Sequence, residues 1–138
     1  MRVLSIKQPW LWLLLHGYKS IEVRTWKPKD LELPCPILLH ASKSVDEWAM
    51  KYFKQILESK SQFPVHLGAV CGVAQLVSFR DYQAFEEFEK DKMLHLNQPD
   101  WFNKKNIGWV FDKIIPFKEP VAMKGKLNLF NAKIVEEG

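Results

Sequence analysis

The charged residues best placed for chemistry follow the most apolar segment of the sequence. Gly17, Lys19, Glu22 and Arg24 form the pattern Gly-x-Lys-x-x-Glu-x-Arg. A guanidinium that pairs with a neighbouring carboxylate is held in a fixed orientation, and its remaining donors can bind a phosphate or a base edge. Lys19 adds a mobile point charge. The pattern therefore has the charged groups of a nucleotide pocket, although a salt-bridged strand on the protein surface would show the same spacing.

Tryptophans on either side of these charges could supply a stacking face. Trp10 precedes the pattern and Trp26 follows it. Nucleobases stack on aromatic side chains whatever their sequence, because every base has a π-face. A cation for the phosphate, a ring for the base and the Glu22 carboxylate for an amino or imino edge would together make a nucleotide site.

The segment before the charged pattern predicts a strand and a helix. Residues 2–7 alternate as a short strand, and residues 9–16 predict a helix that begins at a proline, where the missing N–H costs nothing. Gly17 is a natural residue to end that helix. The helix is apolar on nearly all sides, which predicts that it is buried.

The charged pattern itself lies on a predicted strand. Residues 20–26 alternate with a period of two, so that Glu22, Arg24 and Trp26 share one face. Side chains two residues apart on one strand face are close enough to pair. The sequence therefore predicts an ion pair between Glu22 and Arg24 at the mouth of the strand, beside Lys19.

The rest of the chain mixes strands and helices without regular alternation. Ser44 and Glu47 predict a capping box at the start of one helix. The further predicted strands are 35–41, 66–79, 107–117 and 127–135, the predicted helices are 45–58 and 81–93, and the predicted loops are 27–36, 59–66 and 97–106. This order argues against a doubly wound parallel sheet and favours an α+β fold, a small and mostly antiparallel β-barrel with two or three flanking helices.

Length and composition predict one domain over residues 1–138, with a modest basic excess. The formal charge is +4 and the isoelectric point is about 9.0, which is compatible with a polyanionic partner. Positive charge gathers near both ends of the chain, at Lys7 and Lys124 for example, and these regions could meet in space. An ordinary solvated surface would explain the same clustering.

Several classes of protein are not indicated. Cys35 and Cys71 lie in apolar surroundings without a CxxC pair, so neither zinc nor another metal or cofactor is expected. The apolar run at residues 10–15 is too short to span a bilayer, and the sequence begins without a signal-peptide pattern. We therefore expect a cytoplasmic protein that does not bind membranes.

Some other residues could have either a functional or a structural role. His40 ends an apolar strand and could face a cleft as an acid, a base or a base-edge donor, or be a satisfied histidine at the sheet edge. Trp109 lies in a strand, where burial in the core is its default. Trp48 and Tyr52 have helical spacing, which favours core positions. Trp101 lies in a loop near lysines and could touch nucleic acid or cap the fold.

The combined N-terminal string resembles the signature of the ASCH domain family. The matching residues are Ser5, Ile6, Gln8, Pro9, Trp10, Gly17, Lys19, Ile21, Glu22, Arg24 and Trp26. The resemblance continues into "GWVFDKIIPFKEPVAMKGKLNLF" and covers almost the whole chain. Asn128 stands where the family usually has a glycine.

This resemblance implies a PUA-like β-barrel with a cleft that binds RNA or modified nucleotides. The cleft residues that it implies are Ser5, Lys7, Gln8, Trp10, Lys19, Glu22 and Arg24, with Trp26, His40 and Trp109 as further candidates. One branch of the superfamily hydrolyses acetylated cytidine with a Lys-x-x-Thr pair. Here Glu22 stands at the threonine position; a carboxylate cannot form an ordinary acyl-enzyme, but it could activate water.

Three functions remain open from the sequence. The leading hypothesis is a binding domain for RNA or a modified nucleoside. The second is a metal-independent hydrolase, either an amidohydrolase acting on a nucleoside amide or a ribonuclease, in which Lys19 would stabilise negative charge and Glu22 would be the base. The third is a protein-interaction domain.

Overall fold

The computed structural model describes residues 1–59 and 66–133, and their strands form one mixed sheet flanked by short helices. In these residues the strands are β1 (Arg2–Gln8), β2 (Ile21–Arg24), β3 (Cys35–Val45), β4 (Ala69–Asp81), β5 (Ile107–Ala122) and β6 (Leu129–Asn131). The helices are α1 (Trp10–Leu15), α2 (Glu47–Tyr52), α3 (Lys54–Ser59), α4 (Phe85–Lys90) and α5 (Lys92–His95), and a 3₁₀ turn covers Pro99–Trp101. The α+β class is confirmed. None of the helices in the described residues is long and apolar enough to cross a membrane.

The sheet is open, so the expectation of a closed barrel is not met. The strand order is β2-β5-β4-β3-β1-β6, in which β1 and β3 are parallel and the other neighbours are antiparallel. The edge strands β2 and β6 do not pair with each other in the described residues. Both are short, with four and three residues, and offer few backbone groups for closure.

The long central pair β4 and β5 curls the sheet. Their pairing shifts register at several points, and such bulges bend strands and increase their twist. The curl brings β2, at one edge, back towards β1 near the other edge. A hydrogen bond of 2.8 Å from Arg24 Nη2 to the carbonyl of Ser5 spans the opening.

Helix α1 lies in the main hydrophobic core, as its apolar sequence predicts. Its residues from Trp10 to Leu14 are buried and pack with side chains of β1, β3 and β5. A close approach between α1 and β4 depends on Gly72, because a Cβ there would lie 2.6 Å from Leu15 Cδ2 and 2.7 Å from the carbonyl oxygen of Ile115. Pro9 occupies the N-cap, so the helix begins at Trp10, one residue later than the sequence predicts.

The predicted capping box at Ser44 is wrong. Strand β3 continues to Val45, so the helix starts at Glu47 and Asp46 is its N-cap; the Asp46 carboxylate accepts from the backbone N–H of Ala49 at 3.0 Å. Aspartate caps a helix about as well as serine, and the longer strand leaves Ser44 unable to do so.

The predicted helix 45–58 is broken at Phe53 into α2 and α3. Phe53 is buried, but Trp48 and Tyr52 are each 49% exposed, so their expected core positions are wrong. With only the first two turns forming α2, these rings lie on a face that no other element covers fully.

Other boundaries differ by a few residues. The predicted helix 81–93 is shorter because β4 runs to Asp81, and α4 and α5 follow it. Asn128 forms the turn before β6 with φ of 61°, a left-handed conformation that asparagine tolerates, so it replaces the family glycine there. Most of the predicted loop 59–66, and the end of the last predicted strand at 134–135, lie outside the described residues.

Candidate functional site

An ionic cluster occupies the opening between β2 and β1. Glu22 Oε1 lies 2.8 Å from Lys19 Nζ, and Glu22 Oε2 lies 3.1 Å from Arg24 Nη2. The same Nη2 donates to the carbonyl of Ser5, beyond the last residue of β1 that pairs with β6. The carboxylate thus holds both cations, and Arg24 is fixed at two points.

Burial decreases from one end of this cluster to the other. The side chain of Lys19 is fully buried, that of Glu22 is 10% exposed and that of Arg24 is 25% exposed. Lys19 Nζ also lies over the Trp10 ring, 4.4 Å from its centroid, which stabilises a buried cation. Arg24 is therefore the member of the cluster that is most accessible to a ligand.

The cluster keeps Glu22 ionised. Burial alone would raise the pKa of the Glu22 carboxyl, but Lys19 and Arg24 outweigh it and hold this pKa below its ordinary value. Burial lowers the pKa of the Lys19 ammonium, against the attraction of Glu22. A carboxylate with a low pKa is a weak general base near neutral pH, so Glu22 is better suited to orienting Arg24 than to activating water.

A cavity of about 690 Å³ opens in front of Arg24, within the usual size range of small-ligand pockets. It is lined by Ser5, Lys7, Trp10, Glu22, Val23, Arg24, His40, Ser42, Lys43, Asp46, Lys124, Gly125, Lys126, Leu127 and Asn128. Lys7, Lys43, Lys124 and Lys126 are exposed, and none of them pairs with a carboxylate of the described residues. We call this the cationic cavity.

A serine and a histidine meet in the wall of the cationic cavity. Ser5 Oγ lies 2.8 Å from His40 Nδ1, and His40 Nε2 lies 2.7 Å from the carbonyl oxygen of Met123. A carbonyl only accepts, so Nε2 carries the ring proton, and Nδ1 of the neutral ring accepts from the Ser5 hydroxyl. Gly125 covers this pair so closely that a Cβ there would lie 2.7 Å from His40 Cε1.

The sequence-predicted site residues divide into two groups. The structure brings Ser5, Lys7, Trp10, Glu22, Arg24 and His40 to the cationic cavity. Lys19 lies behind Glu22 and does not line the cavity.

The other predicted residues serve the fold. Gln8 is buried; its side chain accepts from the N–H of Trp12 at 2.8 Å and donates to the carbonyl of His66 at 3.0 Å, so it caps α1. Trp109 is fully buried in the core and donates to the carbonyl of Trp26. Trp26 packs edge-on against Trp109 and borders a separate hollow with Lys27 and Lys29.

Sequence reasoning missed several residues of the cavity. Lys43, Asp46 and the segment 124–128 were not among the predicted site residues. The Lys-Gly-Lys at residues 124–126 was the available signal, since it adds charge close to the N-terminal basic residues once β6 pairs with β1. In the part of the chain that the structure describes, no three His, Cys, Asp or Glu side chains are grouped so that they could hold a metal ion.

Comparison with known proteins shows the family. The family model described as the ASCH domain matches residues 4–120. This chain belongs to the ASCH family. No functionally curated protein matches the ASCH chain significantly.

The fold of this ASCH protein is similar to that of solved ASCH structures. It resembles ASCH from Zymomonas mobilis with a TM-score of 0.68 and 14% identity, over 96% of this chain and 87% of that one. Two mutant forms of the Zymomonas mobilis protein give TM-scores of 0.61 and 0.60 at 15% and 14% identity, over 88% of this chain and 73% and 74% of theirs. At these identities the likeness shows a shared fold.

The ionic cluster predicts an asymmetry between two substitutions. Glu22→Gln leaves Lys19 buried without a counter-charge, and removing one partner of a buried pair costs about 3–5 kcal/mol. Lys19→Met leaves Glu22 paired with Arg24, so we expect a smaller loss. Urea unfolding measures both, and a loss in Lys19→Met as large as that in Glu22→Gln would contradict the arrangement.

The stability lost in Glu22→Gln depends on pH. The pKa of Glu22 is lower in the folded protein than in the unfolded chain, so the unfolded chain binds the proton first as the pH falls. The stabilisation is complete above the unfolded value of about 4.3 and is lost as the pH falls through the folded value. The difference in the free energy of unfolding between the wild type and Glu22→Gln should therefore shrink as the pH falls below about 4.3 and on through the lower pKa that Glu22 has in the folded protein.

Proposed function

We propose that this ASCH protein binds RNA or a modified nucleotide in the cationic cavity. The observation that carries the proposal is the position of Arg24, held by Glu22 and Ser5 at the edge of a cavity whose lysines have no carboxylate partner in the described residues. Unpaired lysines around a hollow of this size favour a polyanionic ligand.

Each charged group has a distinct role in this proposal. Arg24 keeps its Nη1 donors unused by the described residues and would bind a phosphate or a base carbonyl. Glu22 orients Arg24, and Lys19 neutralises Glu22 from behind. Because the Lys19 ammonium is buried against the Trp10 ring, the exposed lysines, Lys124 and Lys126 among them, would contact the phosphates instead.

Salt dependence tests the role of the lysines. The double variant Lys124→Ala/Lys126→Ala should bind a short single-stranded RNA more weakly than the wild type. Because each phosphate contact on a single strand contributes about 0.7 to the slope of log K against log salt, the slope should become shallower by about 1.4. Fluorescence anisotropy at several salt concentrations measures both quantities.

Lys90→Ala/Lys92→Ala is a matched control, since it removes the same charge from helices that do not line the cavity. An unchanged slope in the cavity variant, or an equal change in the control, would contradict the assignment. If neither RNA nor nucleotides bind the wild type or raise its melting temperature, the proposal fails and a protein-interaction role is favoured.

The Ser5–His40 pair supports a second candidate function, hydrolysis of an acylated nucleoside. A hydroxyl that donates to a histidine nitrogen is the arrangement of an activated nucleophile, and the Met123 carbonyl orients the ring. This route uses neither Lys19, whose side chain is fully buried, nor Glu22, which the neighbouring cations keep ionised.

The chemical steps balance with water as the only co-reactant. Ser5 Oγ would attack the amide carbonyl while His40 Nδ1 takes its proton and passes it to the leaving nitrogen as the C–N bond breaks. Water would then hydrolyse the ester on Ser5 and release the carboxylic acid.

Acetate release from acetylated cytidine tests this candidate. The wild type should release acetate and Ser5→Ala should not, while Ser78→Ala, a strand serine outside the cavity, should behave as the wild type. Acetate release that persists in Ser5→Ala, or none from the wild type, would rule out this route. Shortening of the RNA in the binding experiment would instead indicate ribonuclease activity.

A further inference from the structure

A second cavity lies directly beside the cationic one but has a different lining. Its volume is about 350 Å³, and it shares Trp10, Glu22, Val23 and Asp46 with the cationic cavity. Its remaining lining consists of Trp48, Asn97 and Trp101, with no lysine or arginine from the described residues. We call it the aromatic cavity.

The rings at the aromatic cavity hold one another in fixed orientations but differ in exposure: Trp48 is exposed, Trp101 is half-buried and Trp10 is buried. Trp48 and Tyr52 are each 49% exposed and stack on each other, with centroids 4.9 Å apart and an interplanar angle of 19°. Trp101 meets Trp48 edge-on at 4.6 Å and also contacts Trp10. Large exposed rings with polar neighbours are typical of interaction sites, and Trp48 is such a ring, fixed in place by its contacts with Tyr52 and Trp101.

The polar groups of the aromatic cavity suit a base better than a phosphate. The carboxylates of Glu22 and Asp46 line both cavities, but in the aromatic cavity no lysine or arginine of the described residues lies beside them to attract a phosphate, whereas a base can donate its amino or imino hydrogens to such acceptors. Asn97 donates through Nδ2 to the carbonyl of His95, which leaves its Oδ1 without a donor in the described residues. The cationic cavity thus suits a phosphate, and the aromatic cavity suits a base.

We propose that the aromatic cavity stacks the base of a nucleotide adjacent to the one in the cationic cavity. The ligand is then a single strand of at least two nucleotides, with phosphates beside Lys43 and Lys124 and the neighbouring base on Trp48. The inference rests on the proposed function and narrows it, because a free nucleoside would leave the aromatic cavity empty. Shared lining residues make the two cavities continuous, which favours one strand across both over a protein partner on the rings.

Substitution of Trp48 separates the two cavities. Hexauridylate and uridine monophosphate serve as probes in equilibrium binding with the wild type, Trp48→Ala and Trp48→Phe. The wild type should bind hexauridylate more tightly than the monophosphate. Since stacking on one aromatic ring is worth about 5- to 100-fold in affinity, Trp48→Ala should lose that factor for hexauridylate only, and Trp48→Phe should keep most of it.

Phe85→Ala is the control, because Phe85 is 41% exposed but lines neither cavity, and it should leave both affinities unchanged. Hexauridylate affinity that is unaffected by Trp48→Ala, or an equal loss for both probes, would overturn the inference while the proposed function stands. Binding of the monophosphate but not of hexauridylate would overturn it as well. If the wild type binds neither probe, and no other RNA or nucleotide either, the proposed function itself fails.

Discussion

The arrangement of the site depends on one buried carboxylate. Glu22 accepts from Lys19 on its inner side and from Arg24 on its outer side, at 2.8 and 3.1 Å. Without the carboxylate, an ammonium sealed beneath Trp10 would have no counter-charge, and the guanidinium would keep only the Ser5 carbonyl. The two oxygens of Glu22 therefore stabilise the buried Lys19 ammonium and also orient the Arg24 guanidinium.

The local part of this arrangement could be predicted from sequence, and the long-range part could not. Glu22 and Arg24 are two residues apart on one strand, so alternation alone places them together. The burial of Lys19 depends on the Trp10 ring, which α1 supplies. Strand alternation therefore could not show that Lys19 is buried while Arg24 is partly exposed. The Ser5–His40 contact depends on the parallel register of β1 and β3, which pairs these two residues and which no local pattern specifies.

The same limit explains the differences in fold. Strand and helix order follows from local periodicity and was predicted closely, whereas closure of the sheet depends on whether its edge strands β2 and β6 pair, which no local pattern specifies. The exposure of Trp48 depends on how α2 packs against the rest of the protein, which helical spacing alone does not specify. The aromatic cavity thus lies where the local pattern and the tertiary packing disagree.

The central claim is that Glu22 presents Arg24 as the ligand-binding cation of the cavity. Nitrogen-15 NMR of the arginine side chains during titration with uridine monophosphate tests it most directly, with Arg80, which is paired with Asp91 outside the cavity, as an internal reference. The account predicts a saturable shift of the Arg24 guanidinium signals that disappears in Glu22→Gln, while the signals of Arg80 stay constant. Saturable shifts in backbone signals elsewhere with no change at Arg24 would contradict it.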